Sequence, residues 1–579
     1  MRAHVRCLAL NPRRSAIALC ALAACLCVAL TGCSSAKLAD LPLTTEQKIE
    51  DFRYMAEVFL ESNPYLWVSE RKTGYDWQAH LDEFEAEIAA TKDDAEFAQA
   101  MARILRRLNN GHTSLTNPGT ASLYGGFLSG LYMGRWKAEV NKTTQNRIQY
   151  WWDLANPNPQ PAGSQPAGSS GAAFGAAYSA GRYYVVSVSS EAEEGGLDIR
   201  PGWEIAKVDG VPVNEYVSRL MGEQTLWYDP VRDCLYLRWL QIPLAPGQSG
   251  SEAAPSESGV APSESGTAST EGGSLSVVFR TGDGEEVSLD IPSGWSLNVP
   301  RSYWPPRYKD AAGVASRGNM YTAILEGGIM YVQIRSMMRD PDSDLSRLRR
   351  LIEKEQPEAL IIDIRGNGGG SDNYWQSLVA MLAEESVSST FGLAWRKSEY
   401  CESFVEQKGA HKKPTMPRSD LEAMAAAGSV PPELLTGAFE DVRVWERTVN
   451  PSKESLRYKG RIALLVDDYV FSSAESFAAF CKGSGWATLI GSFTGGDGIG
   501  FDPGLVTLPN SGMLVRFPLD MGLNPDMSAN EEVHTLPDVL AEWGPEDILR
   551  YASTWGTPDG PDPAWDPQLR ACLKWLAGE

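Results

Sequence analysis

Histidine is scarce in this chain: five in 579 residues, with only His80, His112, His411 and His534 beyond the first few positions. Any chemistry that needs an imidazole therefore has few candidates. Cysteine is unevenly spent. Five of the nine (Cys7, Cys20, Cys25, Cys27 and Cys33) fall in or at the end of the first 33 residues, and Cys234, Cys401, Cys481 and Cys572 are scattered. No Cys-x-x-Cys or His-x-x-x-His spacing occurs, so no zinc site or other metal is expected, and no cofactor either. A basic surplus is also missing. Asp and Glu number 74 against 52 Lys and Arg, a formal charge of −22 that disfavours a nucleic-acid partner. Beyond Lys482 the only lysine is Lys574. What is present is 43% hydrophobic residues over a length that suits two or three globular domains.

The first 32 residues stand apart. Arg2, Arg6, Arg13 and Arg14 precede an apolar run from Ser15 to Leu30, and no acid occurs there. The run falls short of the roughly 20 residues needed to span a bilayer and has the layout of a signal peptide. Leu30-Thr31-Gly32-Cys33 resembles a bacterial lipobox. That resemblance implies cleavage before Cys33, lipid attachment to it, and a protein tethered to the membrane outside the cytoplasm. The alternative is an uncleaved N-terminal anchor with Cys33 incidental.

Along the chain, Thr44 and Gln47 form a capping box ahead of Ile49, Phe52, Met55, Val58 and Phe59, which predicts an amphipathic helix. Phe97, Met101, Ile104, Leu105 and Leu108 share another helical face, and Asn109-Asn110-Gly111 stops that helix just before His112. Two repetitive Pro/Gly/Ser-rich stretches, 156–172 and 246–274, have too little apolar surface to order themselves and are expected to be flexible insertions. Between them lie a strand, Tyr183–Val188, then Gly196-Leu197, a Pro201-Gly202 turn, a strand through Ile205 and an Asp209-Gly210 turn. This order resembles a PDZ domain of the bacterial protease type, with Trp203 where an acid is usual. The turn chemistry also suits other small β-rich modules. From about Gly318 strands and helices alternate: Ile329–Ile334, Leu345–Glu355, Ala359–Ile364 and a helix from Asn373. That alternation predicts a layered α/β fold with a largely parallel sheet.

Two segments carry candidate chemistry. Arg365-Gly366-Asn367-Gly368-Gly369-Gly370 follows the most apolar strand, and glycines there let backbone N–H groups approach an anion. A dinucleotide phosphate fits poorly, because the third glycine of that fingerprint is missing, and no Walker Lys-Ser or Lys-Thr follows. The oxyanion of a tetrahedral intermediate fits as well. The second segment, Val470-Phe471-Ser472-Ser473-Ala474-Glu475, joins an apolar strand to a small-residue helix. Ser472 there is placed as a nucleophile, or else it caps the helix with Glu475 as the other half of a capping box.

Ile362–Gly370, Phe471–Glu475, Leu489-Ile490-Gly491-Ser492-Phe493-Thr494-Gly495, the Asn110–Thr113 turn and Leu536–Val539 together resemble the tail-specific (C-terminal processing) and tricorn-like serine peptidase family. The resemblance spans roughly residues 44 to 540. It implies a crotonase-like ββα superfold core, an N-terminal helical segment, an inserted PDZ-like β-rich module, and hydrolysis of peptide bonds through an acyl-enzyme. The implied divisions are signal peptide 1–32, tether 33–44, helical region 45–118, PDZ-like module 119–300 and catalytic core 318–560. Ser472 falls on the family nucleophile, and the N–H groups of Ser473 and of Gly368 or Gly369 on its oxyanion hole. The tail-specific branch carries a lysine twenty-five residues past its serine; here that residue is Asp497, which disfavours a Ser–Lys dyad. The tricorn-like branch uses a histidine, matched by His112, and an orienting glutamate that falls on Glu531, with Glu532 and His534 close by. Its bridging serine before the histidine is Gly111 here. Gly196 and Leu197 fall where the PDZ-like module would hold a peptide. Protein or peptide substrates and a lipid-anchored, extracytoplasmic location follow from these resemblances; a catalytically inactive peptide-binding lipoprotein is the alternative.

Overall fold

The computed structural model describes residues 39–116, 142–156, 174–240, 274–292, 318–553 and 566–579. The signal-peptide and Cys33 assignments, and all but the edges of the two low-complexity stretches, lie outside these residues.

The described residues open with four helices: α1 (Thr45–Ser62), α2 (Leu66–Thr73), α3 (Leu81–Ala90) and α4 (Asp94–Arg106). The expected capping box starts α1, with Thr44 Oγ1 accepting from Gln47 N and Gln47 Oε1 accepting from Thr44 N. A short edge strand β1 (Ser114–Leu115) and helix α5 (Lys142–Ala155) follow. These helices do not form a core of their own. Phe52, Phe59, Phe97 and Met101 share one apolar cluster with Val515 and Phe517 from far along the chain.

Next comes a β-rich module. Strands β2 (Phe174–Ser179), β3 (Arg182–Val188), β4 (Glu204–Val208), β5 (Val211–Pro212), β8 (Trp239–Leu240), β9 (Ser274–Arg280) and β10 (Glu286–Pro292) make one sheet in the order β10-β9-β4-β3-β2-β8, with β5 paired to β4. Between β5 and β8 lies a two-stranded ribbon, β6 (Trp227–Asp229) with β7 (Cys234–Tyr236). Trp203, the residue at odds with the PDZ pattern, packs on Phe279 at 5.8 Å between ring centroids.

The remainder is α/β. Strands β11 (Met320–Leu325), β12 (Ile329–Ile334), β13 (Ala359–Asp363), β16 (Arg461–Val466), β17 (Thr488–Gly491) and β21 (Val539–Leu540) form a six-stranded sheet in that order. Only the β11–β12 pair is antiparallel, as the alternating pattern predicts. Helices α6 (Asp342–Glu355), α7 (Asp372–Leu382) and α8 (Ser473–Ser484) connect its parallel strands. Strand β13 is buried from end to end, which is why it is read as an unbroken apolar run. Two three-stranded sheets flank this core: β14 (Val387–Ala394), β15 (Arg443–Val449) and β20 (Met521–Leu523), and β1 with β18 (Gly504–Thr507) and β19 (Leu514–Phe517). A last helix, α9 (Pro567–Ala577), lays Leu569 and Cys572 against Ile361, Ala463 and Ile490 of the large sheet. The four cysteines among the described residues are free thiols.

Candidate active site

Ser472 stands between β16 and α8. The strand is buried and fixed, so the chain must turn within a few residues to start the helix. Ser472 accordingly adopts φ 56° and ψ −124°, a conformation that costs an L residue on the order of 1–3 kcal/mol and persists only where the surroundings impose it. Its hydroxyl makes no capping bond. Glu475 is buried instead and accepts from Asn530 Nδ2 at 2.8 Å and Thr535 Oγ1 at 2.6 Å. The capping-box reading of this serine is excluded. Ser472 Oγ lies 3.2 Å from His112 Nε2.

Asn110 builds the turn that presents His112. Its Oδ1 accepts from His112 N at 3.1 Å and from Thr113 Oγ1 at 2.9 Å, while its Nδ2 donates to Asp497 Oδ2 at 2.9 Å. The same Asp497 oxygen lies 2.7 Å from His112 Nδ1. A carboxylate there holds the proton on Nδ1 and turns the lone pair of Nε2 toward the serine hydroxyl. Burial pushes the Asp497 carboxyl up, but His112, Asn110 and Lys72 outweigh it and hold its pKa below the ordinary carboxylate value. Asp497 rides a glycine-rich loop pressed against the Ser472 turn. A Cβ on Gly498 would lie 2.4 Å from the Ser472 carbonyl oxygen, so no other residue fits.

The loops after the neighbouring parallel strands β13 and β16 are laced together at their carboxyl ends, where α/β sheets place ligands. Asp467 accepts from Gly366 N at 3.0 Å and from Tyr469 N at 3.0 Å, and Phe471 N donates to the Asn367 carbonyl at 3.2 Å. Gly369 (φ 100°) comes so close that a Cβ would lie 2.8 Å from Ser472 Cβ and 2.9 Å from Ser473 N. Its own N–H is occupied, donating to Asn367 Oδ1 at 2.9 Å. The N–H groups of Gly368 and Ser473 have no hydrogen-bond acceptor among the described residues, and Ser473, at the first helical position, has no intrahelical one.

Residues 328–541 match the model of peptidase family S41. The chain carries a serine-type peptidase domain of that family. Among solved structures it is similar to mature CPAF complexed with lactacystin (14% identity, TM-score 0.47, covering 92% of this chain and 99% of that one). It is also similar to the photosystem II D1 C-terminal processing protease (15%, 0.32, 89% and 100%) and to the tricorn protease (15%, 0.30, 92% and 37%). A search of curated proteins found no match.

In the peptidase, the other residues expected at the site stand as follows. Glu531 is not on the imidazole. Its carboxylate is taken by Lys72 Nζ at 2.5 Å, and Lys72 also donates to the Asn109 carbonyl at 3.2 Å. Burial pushes Glu531 up to about 7, against the pull of Lys72 and with the charge of Asp497 adding to it. Glu532 is drawn outward by Arg71 at 2.7 Å. His534 points Nδ1 at the Thr494 carbonyl, 2.6 Å away, and burial drops its pKa to about 3, so it is neutral. His80 binds the Asp76 carbonyl and His411 is exposed. His112 is thus the one histidine among the described residues on the serine. Gly111, where a bridging serine was expected, is closed to a side chain: its Cβ would lie 2.6 Å from the Phe471 ring, whose centroid is 4.6 Å from that of His112. Gly196 and Leu197 spend their N–H groups on Glu193 O and Ala192 O, both at 3.0 Å, so neither amide is free for a peptide carboxylate. Asp497, Asn110 and Lys72 are the site residues that sequence reasoning missed. The signal available for Asp497 was its coincidence with the branch's lysine position.

Proposed function

We propose that this protein is a membrane-tethered, extracytoplasmic serine peptidase that hydrolyses protein or peptide substrates through an acyl-enzyme, with Ser472 as nucleophile, His112 as base and Asp497 as the group that orients the base. The observation that carries this reading is one imidazole with Ser472 Oγ at 3.2 Å on Nε2 and Asp497 Oδ2 at 2.7 Å on Nδ1. Ser472 attacks the scissile carbonyl while His112 Nε2 takes its proton. The imidazolium is stabilised by Asp497 and then hands the proton to the leaving amine. Water repeats the sequence to release the acyl group. The N–H groups of Ser473 and Gly368 are the donors for the oxyanion, each contributing on the order of 3 kcal/mol in the transition state. Gly369 supports the hole by close approach and not as a donor.

The six-stranded sheet and its helices are the crotonase-like core, and the seven-stranded module is PDZ-like, inserted before it. Lipidation at Cys33 supplies the tether. Among the described residues no helix is long and apolar enough to cross a membrane.

The test is intact-mass labelling of residues 33–579 by a fluorophosphonate, beside Ser472→Ala and His112→Ala. One adduct on the parent and none on either variant is the expected result. A folded parent that takes no label would point to the inactive, peptide-binding alternative.

A further inference from the structure

Beside the serine lies a cavity of about 410 Å³ where three parts of the molecule meet. Gly111 and Phe471, the chain neighbours of His112 and Ser472, line it. Leu105 comes from α4, Trp152 from α5, and Leu226 and Trp227 from the β-rich module. The volume falls in the range of sites that bury a ligand group, and the walls are mostly apolar and aromatic. Its ionisable lining is short: Lys72, Arg106, Glu531 and His534. Lys72 and Glu531 satisfy each other at 2.5 Å, and His534 is neutral.

Arg106 is left over. Its Nε donates to the Gly222 carbonyl at 2.9 Å, which ties α4 to the module. Its two terminal nitrogens make no hydrogen bond, and its guanidinium no ion pair within 4.0 Å, among the described residues. The nearest acid that acts on it is Glu223, an exposed side chain engaged with Arg103 at 3.9 Å. Burial disfavours its charge, with Glu223 opposing and Arg103 adding to the effect. A half-buried guanidinium whose planar fork lacks an acceptor, set in an apolar cavity next to the nucleophile, is built for a carboxylate.

We propose that Arg106 receives the side-chain carboxylate of an acidic substrate residue in this cavity, so that the peptidase prefers peptides with Asp or Glu near the scissile bond. The proposal rests on the peptidase reading and adds the chemistry of its substrate. Aromatic walls pack the aliphatic stem or neighbouring side chains, and Arg106 supplies the charge. A charge-assisted hydrogen bond in such a setting corresponds to roughly a 10- to 100-fold preference over the neutral isostere.

Binding is tested apart from catalysis. Octapeptide libraries with Glu or Gln at each position in turn, carboxyl termini amidated, are passed over immobilised Ser472→Ala protein and quantified by mass spectrometry. A third library carries Gln and a free carboxyl terminus. Retention of the Glu series at least 10-fold above the neutral series is expected; retention of the free-terminus series alone overturns the inference. Adding Arg106→Gln should bring the ratio to one, and Arg106→Lys should restore part of it, which separates lost charge from lost packing against Gly222. Equal retention of all series, including none, overturns the inference. Cleavage of the same libraries by the parent protein, absent in Ser472→Ala, reports the peptidase reading separately: failure there leaves the binding ratio to be read by itself.

Discussion

At the scale of single residues, the carboxylate on the imidazole is the decisive detail. Asp497 and Glu531 are both buried near His112, but only Asp497 touches it; Glu531 is held by Lys72. Asp497→Asn keeps the shape but removes the acceptor that fixes the tautomer, so kcat should fall by about 10³–10⁴ with KM little changed. Glu531→Gln should fall far less in kcat and lose stability, because it strands Lys72. A kinetic comparison of the two variants on one substrate reverses the assignment if Glu531→Gln is the worse in kcat. Gly111 makes a second prediction. Serine there drives its Cβ into the Phe471 ring at 2.6 Å, an overpacking that costs about 1–3 kcal/mol. Phe471→Ala in the same chain opens the space, so the double variant should unfold at higher denaturant than the sum of the single losses allows.

At the scale of elements, the site is held by loops braced across strand ends, and buried acids brace them. Asp520, just before β20, accepts from Phe501 N at 3.2 Å and so anchors the far end of the loop that carries Asp497. Burial pushes it up to about 8, with the Phe501 N–H opposing and the charge of Asp497 adding to the rise. The sign follows from proton counts. A carboxyl that titrates near 8 when folded and near 4 when unfolded binds more protons in the folded state between those values, so its contribution to stability falls as pH rises from about 4 to 8. Asp520→Asn cannot ionise. Its stability relative to the parent should improve by roughly 4 kcal/mol between pH 5 and pH 8.5 in urea unfolding. A difference that does not move with pH would mean that Asp520 titrates normally.

At the scale of the whole molecule, distant segments close the structure around the sheet. Arg365, at the end of β13, is fully enclosed and pairs with Asp363 and Asp566, both at 2.7 Å, and with Gln568 at 2.9 Å. Asp566 also caps α9 by accepting from Gln568 N and Leu569 N. Asp566→Ala removes a helix cap and leaves a buried guanidinium short of charge, so a loss of about 3–5 kcal/mol is expected in chemical denaturation. Labelling by fluorophosphonate at low denaturant should persist in this variant, since Arg365 braces the sheet and does not touch the reacting atoms.

Much of this was legible in the sequence, and for local reasons. Capping at Thr44, the helical face from Phe97 to Leu108, the buried run of β13 and the alternation of strands and helices all rest on side-chain periodicity within a few turns of chain. Ser472 and the Gly366–Gly370 loop could be singled out from their places after apolar strands, and His112 from the resemblance of its Asn-Gly-His-Thr turn to the peptidase family. Other features were decided only in three dimensions. Gly369 spends its amide on Asn367 because the loop folds back on itself, and Gly111 is a glycine because Phe471 fills the space beside it. Asp497, not Glu531, lies on the His112 imidazole because Lys72 packs against Glu531 from another helix, and which of two buried acids gains the cation and which the imidazole depends on packing between segments hundreds of residues apart. No spacing within one segment encodes that choice.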